Sequence, residues 1–235
     1  MSFVVAIDGP AGTGKGTVTK IVSEKLNLIY IDTGAMYRAV TVKALNNSIQ
    51  PEEIDKIEEI LRDISIIIKR KDDKQQILLD GEDVTEKIRT PEVDNLVSRY
   101  AAIKQVREKM TALQREMKRE GNIIMEGRDI GTVVFPDADV KIYLDATIEE
   151  RAKRRYKQNI EKGINCNYEE VLQSLNERHI LETTRKIAPL KQAEDAVYLD
   201  STNLSIEEVV KKIIEIIKMG VSKWNNFLLM LNALL

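Results

Sequence analysis

Gly9-Pro10-Ala11-Gly12-Thr13-Gly14-Lys15-Gly16-Thr17 follows the apolar run Phe3-Val4-Val5-Ala6-Ile7 and precedes residues with helical periodicity. Strand, glycine-rich loop and helix N-terminus, in that order, form the arrangement that wraps a triphosphate. The loop lets backbone N–H groups converge on phosphate oxygens, and a helix starting near Gly14 adds its positive dipole end. Lys15 supplies a mobile cation for the β and γ phosphates, so Gly9 to Thr17 are the candidate ATP-binding residues. The general pattern has Ser or Thr directly after the lysine, where Gly16 stands. Thr17, one place later, offers its hydroxyl to phosphate or to a magnesium-bound water.

The rest of the composition narrows the chemistry. The chain has 235 residues, 43% hydrophobic, and a formal net charge of −2, which argues against a broad nucleic-acid-binding surface. Cys166 and His179 are the only cysteine and histidine, which removes internal disulfides and most His/Cys metal sites or nucleophile dyads. Asp8 interrupts the N-terminal apolar run early, so no secretory signal is read there, and nothing reaches the length of a membrane span. The expected partners are small-molecule nucleotides, with neither nucleic acid nor membrane, and the expected setting is a monomer in a reducing, cytoplasmic compartment.

Outward from the loop, hydrophobic periodicity predicts a strand over 3–8, a helix over 14–26, a short strand over 28–31 and a helix through Met36, Val40 and Leu45. Pro51 is expected to open a helix carrying Ile54, Ile57 and Leu61. The β-branched stretch 64–69 and the apolar run 76–79 predict an antiparallel hairpin with a charged tip, 70–74. Residues 90–119 read as two helices broken near Ala102. Strands follow at 122–125 and 140–144, then charged helices at 147–162 and 168–185, a strand at 196–199, and a final helix capped by Ser205 and Glu208. Alternating strands and helices imply an α/β fold, a P-loop parallel sheet flanked by helices, with ligands at the C-terminal strand ends. Asp8, Asp32, Glu126 and Asp145 fall at or near those ends. The apolar tail 221–235 is too short to span a bilayer; it reads as a helix packing on the core or a partner, with membrane contact or a non-native extension as the alternatives.

A P-loop alone does not separate kinases from GTPases and motors. The guanine-reading Asn-Lys-x-Asp motif is missing, and arginines accumulate at Arg38, Arg128, Arg151, Arg154, Arg155, Arg178 and Arg185. Bringing two phosphorylated molecules together requires several cations, and guanidinium forks match phosphate oxygens. Arg154 and Arg155, taken singly, read as a solvated helix face. Arg128, directly beyond a buried strand, does not.

These residues place the chain by resemblance. Ile7-Asp8-Gly9-Pro10-Ala11-Gly12-Thr13-Gly14-Lys15-Gly16-Thr17, Asp32-Thr33-Gly34-Ala35-Met36-Tyr37-Arg38, Asp80-Gly81-Glu82-Asp83-Val84, Ile88-Arg89-Thr90-Pro91-Glu92-Val93 and Glu126-Gly127-Arg128-Asp129-Ile130-Gly131-Thr132-Val133-Val134-Phe135-Pro136 resemble the bacterial cytidylate kinases, over about residues 3–219. Gly after the P-loop lysine is usual in that family.

The resemblance implies direct transfer of the γ-phosphoryl group of ATP to CMP or dCMP, with Mg²⁺. It implies a core of 1–37, 120–150 and 187–220, a nucleoside-monophosphate-binding insert of 38–119 with an antiparallel hairpin, and a helical lid of 151–186. Lys15, Arg128, Arg178 and Arg185 are the implied catalytic cations. Ser98, Arg107 and Asp129 match the residues that read cytosine. Arg38, Arg128 and Arg185 match phosphate holders, and Thr33 lines the monophosphate site. Glu182 stands where the family usually has an aspartate reaching the ribose hydroxyls, and His179 and Thr183 replace the more usual Asp and Ser. Thr17 and, through water, Glu126 are the candidate metal-side residues. A UMP or dTMP kinase is the nearest alternative. A non-catalytic ATP-binding, RNA-associated protein is a more distant one, suggested by the cations of 151–186.

Overall fold

The computed structural model describes residues 2–71 and 74–221. The chain divides into two units, one made of the residues up to Ile31 and from Met117 onward, the other of Asp32–Glu116.

In the first unit, β1 (Val4–Asp8), β2 (Ile29–Asp32), β6 (Ile123–Gly127), β7 (Val140–Asp145) and β8 (Val197–Asp200) build a sheet in the order β2-β6-β1-β7-β8. The pairs β1–β6, β1–β7 and β7–β8 are parallel. The central strands β1 and β6 are buried at every position, which is why they read as unbroken apolar runs rather than alternating ones. Register brings the polar strand ends level: Asp8 lies opposite Gly127 on one side and Tyr143 on the other.

Helix α1 (Lys15–Leu26) buries Val18, Val22 and Leu26 against Val5, Ile7 and Ile124, and α8 (Ile206–Val221) adds Val210, Ile213 and Ile217 to the same core. The α8 cap is the expected box: Glu208 N–H donates to Ser205 Oγ at 3.2 Å and Ser205 N–H to Glu208 Oε2 at 2.8 Å. Helices α6 (Ile148–Glu161) and α7 (Tyr168–Thr184) pack through Ala152, Val171 and Leu175. A second capping box, Asn167 with Glu170, starts α7.

The second unit holds α2 (Thr33–Asn46), α3 (Ile54–Arg62), the antiparallel strands β3 (Ile66–Lys71), β4 (Lys74–Leu79) and β5 (Glu82–Asp83), then α4 (Pro91–Tyr100) and α5 (Lys104–Glu116). Thr90 caps α4 with Pro91 at its first turn. Tyr100, fully buried, donates its hydroxyl to the Ile49 carbonyl at 2.6 Å.

Two expectations shift, and one strand carries no sequence signal. Pro51 sits in a turn, and α3 starts three residues later because Glu53 folds its carboxylate back onto Gln50 N–H. The hairpin ladder continues into the charged stretch as far as the Lys71–Lys74 pair, and the rest of the expected tip, 72–73, lies outside the described residues. Strand β5 is two exposed acidic residues with no apolar signal. The expected tail helix falls on 222–235, also outside the described residues. Among the described residues, no helix is long and apolar enough to cross a membrane.

Candidate active site

The loop 9–14 leaves β1 and enters α1 through Gly14, whose φ of 87° is left-handed and which provides no side-chain cap. The first N–H groups of α1 are thus not taken by a local side chain, as an anion-binding helix terminus requires. Lys15 is buried; its Nζ donates to the Pro10 carbonyl at 2.6 Å and to Thr13 Oγ1 at 3.3 Å. Burial, reinforced by the Arg128 charge, lowers the Lys15 ammonium to about 7.

Gly16 has a steric reason. A Cβ there would lie 3.1 Å from Glu126 Oε1 and 3.5 Å from the Tyr30 hydroxyl, so a serine or threonine would press on a carboxylate that Tyr30 holds by hydrogen bond. Thr17 is exposed on the first turn of α1.

Two arginines of α6 brace the loop from its carbonyl side. Arg151, buried, donates to the Ala146 and Ala11 carbonyls at 3.1 and 3.2 Å. Arg154 donates to the Thr13 carbonyl at 3.1 Å and to Ser201 Oγ and O at 3.1 and 2.6 Å. The solvated-face reading of Arg154 is therefore corrected: the helix turns that residue toward the loop and the buried Ser201. Arg155 stays on its own helix, donating to Gln158.

Beyond β6, Arg128 and Arg178 converge on one carboxylate. Arg128 Nε donates to Glu182 Oε2 at 2.7 Å, and Arg178 Nε to Glu182 Oε1 at 2.8 Å. Burial opposes the Glu182 charge, but the two guanidiniums prevail and hold its carboxyl far below the usual range. Arg185 Nε donates to the Ala188 carbonyl at 2.8 Å, and its Nη2 lies 4.0 Å from Asp129 Oδ1. His179 is half-buried on α7, its Nδ1 without a hydrogen-bond partner among the described residues.

The remaining candidates lie in the second unit. Asp32 caps α2 through Ala35 N–H and pairs with Arg89, and Thr33 is buried beside it in sequence. Arg38 binds Asp94 Oδ1 through Nε and Nη2 at 3.1 and 3.0 Å. Arg107, buried, donates to the Ala101 carbonyl and lies 5.2 Å from the Tyr37 ring centroid. Ser98 Oγ is shielded from solvent and has no hydrogen-bond partner among the described residues. Within the first unit, then, Lys15, Glu126, Arg128, Asp129, Arg178, Glu182 and Arg185 gather near the strand ends, while Thr33, Arg38, Ser98 and Arg107 belong to the second. Sequence reading missed Tyr30, Asp94 and the bracing role of Arg151, none of which carries a motif of its own.

A buried first strand, a glycine-rich loop, an uncapped helix start and a desolvated lysine define a P-loop nucleotide-binding protein. The sequence model of one family, described as cytidylate kinase, matches residues 5–219. A cytidylate kinase of Caldicellulosiruptor saccharolyticus is 51% identical over 212 residues, 90% of this chain and 94% of its own. One of Carboxydothermus hydrogenoformans is 51% identical over 213 residues, 91% of this chain and 96% of its own. The chain belongs to the cytidylate kinase family. In fold alone it is similar to the crystal structure of an uncharacterized protein from Eubacterium ventriosum, which aligns with 93% of this chain and 99% of its own at a TM-score of 0.51 and 10% identity.

Proposed function

We infer that the protein transfers the γ-phosphoryl group of ATP to CMP or dCMP, giving ADP and CDP or dCDP. One combination carries this reading. A chain matching the cytidylate kinase family over residues 5–219 presents both a buried P-loop lysine and a solvent-shielded Ser98 hydroxyl with no hydrogen-bond partner among the described residues.

The acceptor phosphate oxygen is already anionic. It attacks the γ phosphorus in line with the departing β–γ bridging oxygen, so no general base is needed and catalysis is positioning plus charge neutralisation. Lys15 and the P-loop amides hold the ATP phosphates. Arg128, Arg178 and Arg185 offset charge on the moving group, and Thr33, Arg38, Arg128 and Arg185 fix the acceptor phosphate. Glu182 takes the ribose-side position. The helical segment 151–186 acts as a lid that excludes water, and with it the competing hydrolysis of ATP.

Cytosine presents an amine donor beside two acceptors; Asp129 accepts from the amine while Arg107 and Ser98 donate. Uracil puts a carbonyl where the amine was, and the mispaired groups cost about 1–3 kcal/mol, enough to prefer CMP over UMP.

Mg²⁺ fits the residues present. No group of three or more His, Cys, Asp or Glu side chains among the described residues is arranged to hold a metal ion. Thr17 and, through water, Glu126 would hold Mg²⁺, both being oxygen donors beside the loop. When bound, the ion neutralises phosphate charge. A monomeric cytoplasmic enzyme acting on free nucleotides fits the near-balanced charge and the single cysteine.

The test is to follow γ-labelled ATP incubated with CMP. Label should pass to CDP with none retained on the protein. Trapped phosphoprotein would contradict direct transfer, and label in inorganic phosphate alone would contradict the kinase reading.

A further inference from the structure

Asp129 stands directly before a single π turn, Ile130–Val134, the position where an aspartate ordinarily caps the following N–H groups with its own carboxylate. It makes no such bond. The turn's internal hydrogen bonds begin with Val133 N–H and Val134 N–H, both donating to the Asp129 carbonyl, so the first two amides of the turn, Ile130 and Gly131, take partners elsewhere. They find Asp8, at the end of β1 and more than a hundred residues earlier. Ile130 N–H donates to Asp8 Oδ1 at 2.8 Å, and Gly131 N–H to Asp8 Oδ2 at 2.7 Å. Asp8 is buried, and Gly131 is packed so closely that a Cβ would meet the Lys141 stem at 3.2 Å. The residue that leads into the P-loop thus also fixes the backbone behind Asp129.

We propose that Asp8 is a positioning residue for acceptor recognition, its two carboxylate oxygens capping Ile130 and Gly131 so that the Asp129 carboxylate is released from capping and aimed at the nucleobase. This rests on the reading that Asp129 meets the cytosine amine. One consequence is pH-dependent. Burial raises the Asp8 carboxyl from 3.8 to about 6, against the lowering effect of the Gly131 and Ile130 amides. Asp129 adds to the rise and Lys15 opposes it, and the other groups facing Asp8 are Arg128 and Tyr143. A protonated Asp8 caps only one amide well.

The experiment measures kcat/KM for CMP and for UMP with the wild-type chain, Asp8→Asn and Asp129→Ala. Asp8→Asn should lower the CMP-over-UMP ratio by about tenfold while the KM for ATP moves by less than about threefold. In the wild type the ratio should fall between pH 7.5 and 5.5, a comparison in which the nucleotide phosphate titration cancels. The Ile130 and Gly131 amide resonances should titrate together with a midpoint near 6. Loss of selectivity in Asp129→Ala but not in Asp8→Asn overturns this inference and leaves the Asp129 reading standing; no loss in either removes both. If Asp8→Asn does not fold, Asp8→Glu, which keeps both acceptor oxygens but moves them by one methylene, takes its place, and an unchanged CMP-over-UMP ratio in that variant overturns the inference.

Discussion

Arg128 forms an ion pair with the buried carboxylate of Glu182, Nε to Oε2 at 2.7 Å, and Arg178 completes it from the other carboxylate oxygen. One carboxylate serves as the counter-anion of two cations assigned to phosphate chemistry. Removing one member of a buried, hydrogen-bonded pair leaves uncompensated charge, so Glu182→Gln should destabilise the protein by about 3 kcal/mol. The Glu182 carboxyl is held below the ordinary value of 4.5. Its stabilisation is therefore present above pH 4.5 and lost as the pH falls below it. Urea unfolding at pH 7 and pH 4 checks both points: the wild type should lose stability in acid, and Glu182→Gln should lose less. Equal losses would mean the pair does not act as described.

Burial and the Arg128 charge lower the Lys15 ammonium to about 7, and the negative charge of a bound triphosphate would favour its protonated form. ATP binding at pH 8 should take up a proton, visible in calorimetry as a binding enthalpy that depends on buffer ionisation. Lys15→Met should abolish that uptake and cut turnover by more than about 10²-fold. Binding without proton uptake in the wild type would contradict the assignment.

Gly16→Ala brings a methyl to about the Glu126 Oε1 contact distance of 3.1 Å, so the carboxylate or the loop must yield. Turnover should drop by about tenfold, on the order of 1.4 kcal/mol. Glu126→Asp, which withdraws the carboxylate by one methylene, should restore part of it. An unimpaired Gly16→Ala enzyme would show that the close approach has no consequence.

Much of this was legible in the chain. Val4–Asp8, Ile123–Gly127 and Val140–Asp145 announce themselves as mainly apolar runs with an acidic residue at or near the C-terminal end, as parallel strands buried on both faces do, and the helices carry their own periodicity and caps. The long-range polar contacts are different. Asp8 capping Ile130, Tyr30 holding Glu126 and Arg154 reaching Thr13 join residues roughly 100 or more positions apart. No local spacing encodes such contacts; only the sheet order does. Arg154 misled for the same reason: on a charged helix a solvated arginine and a loop brace have the same neighbours in sequence.

Arg154 should be tested directly. Arg154→Ala removes the bonds to Thr13 and Ser201, and the KM for ATP should rise by about tenfold with the KM for CMP little changed. Arg154→Lys should rescue poorly, since an ammonium cannot reproduce the guanidinium fork. Steady-state kinetics in both substrates decides it, and full rescue by lysine would mean that charge, not bracing, matters.

The central claim is that this chain phosphorylates a cytosine monophosphate. Steady-state turnover with ATP and each of CMP, dCMP, UMP and dTMP, under identical conditions, tests it most directly. The account predicts that CMP or dCMP has the highest kcat/KM, at least about tenfold above UMP and dTMP. Equal or greater efficiency with UMP or dTMP, or ATP consumption that does not depend on any acceptor, would contradict it.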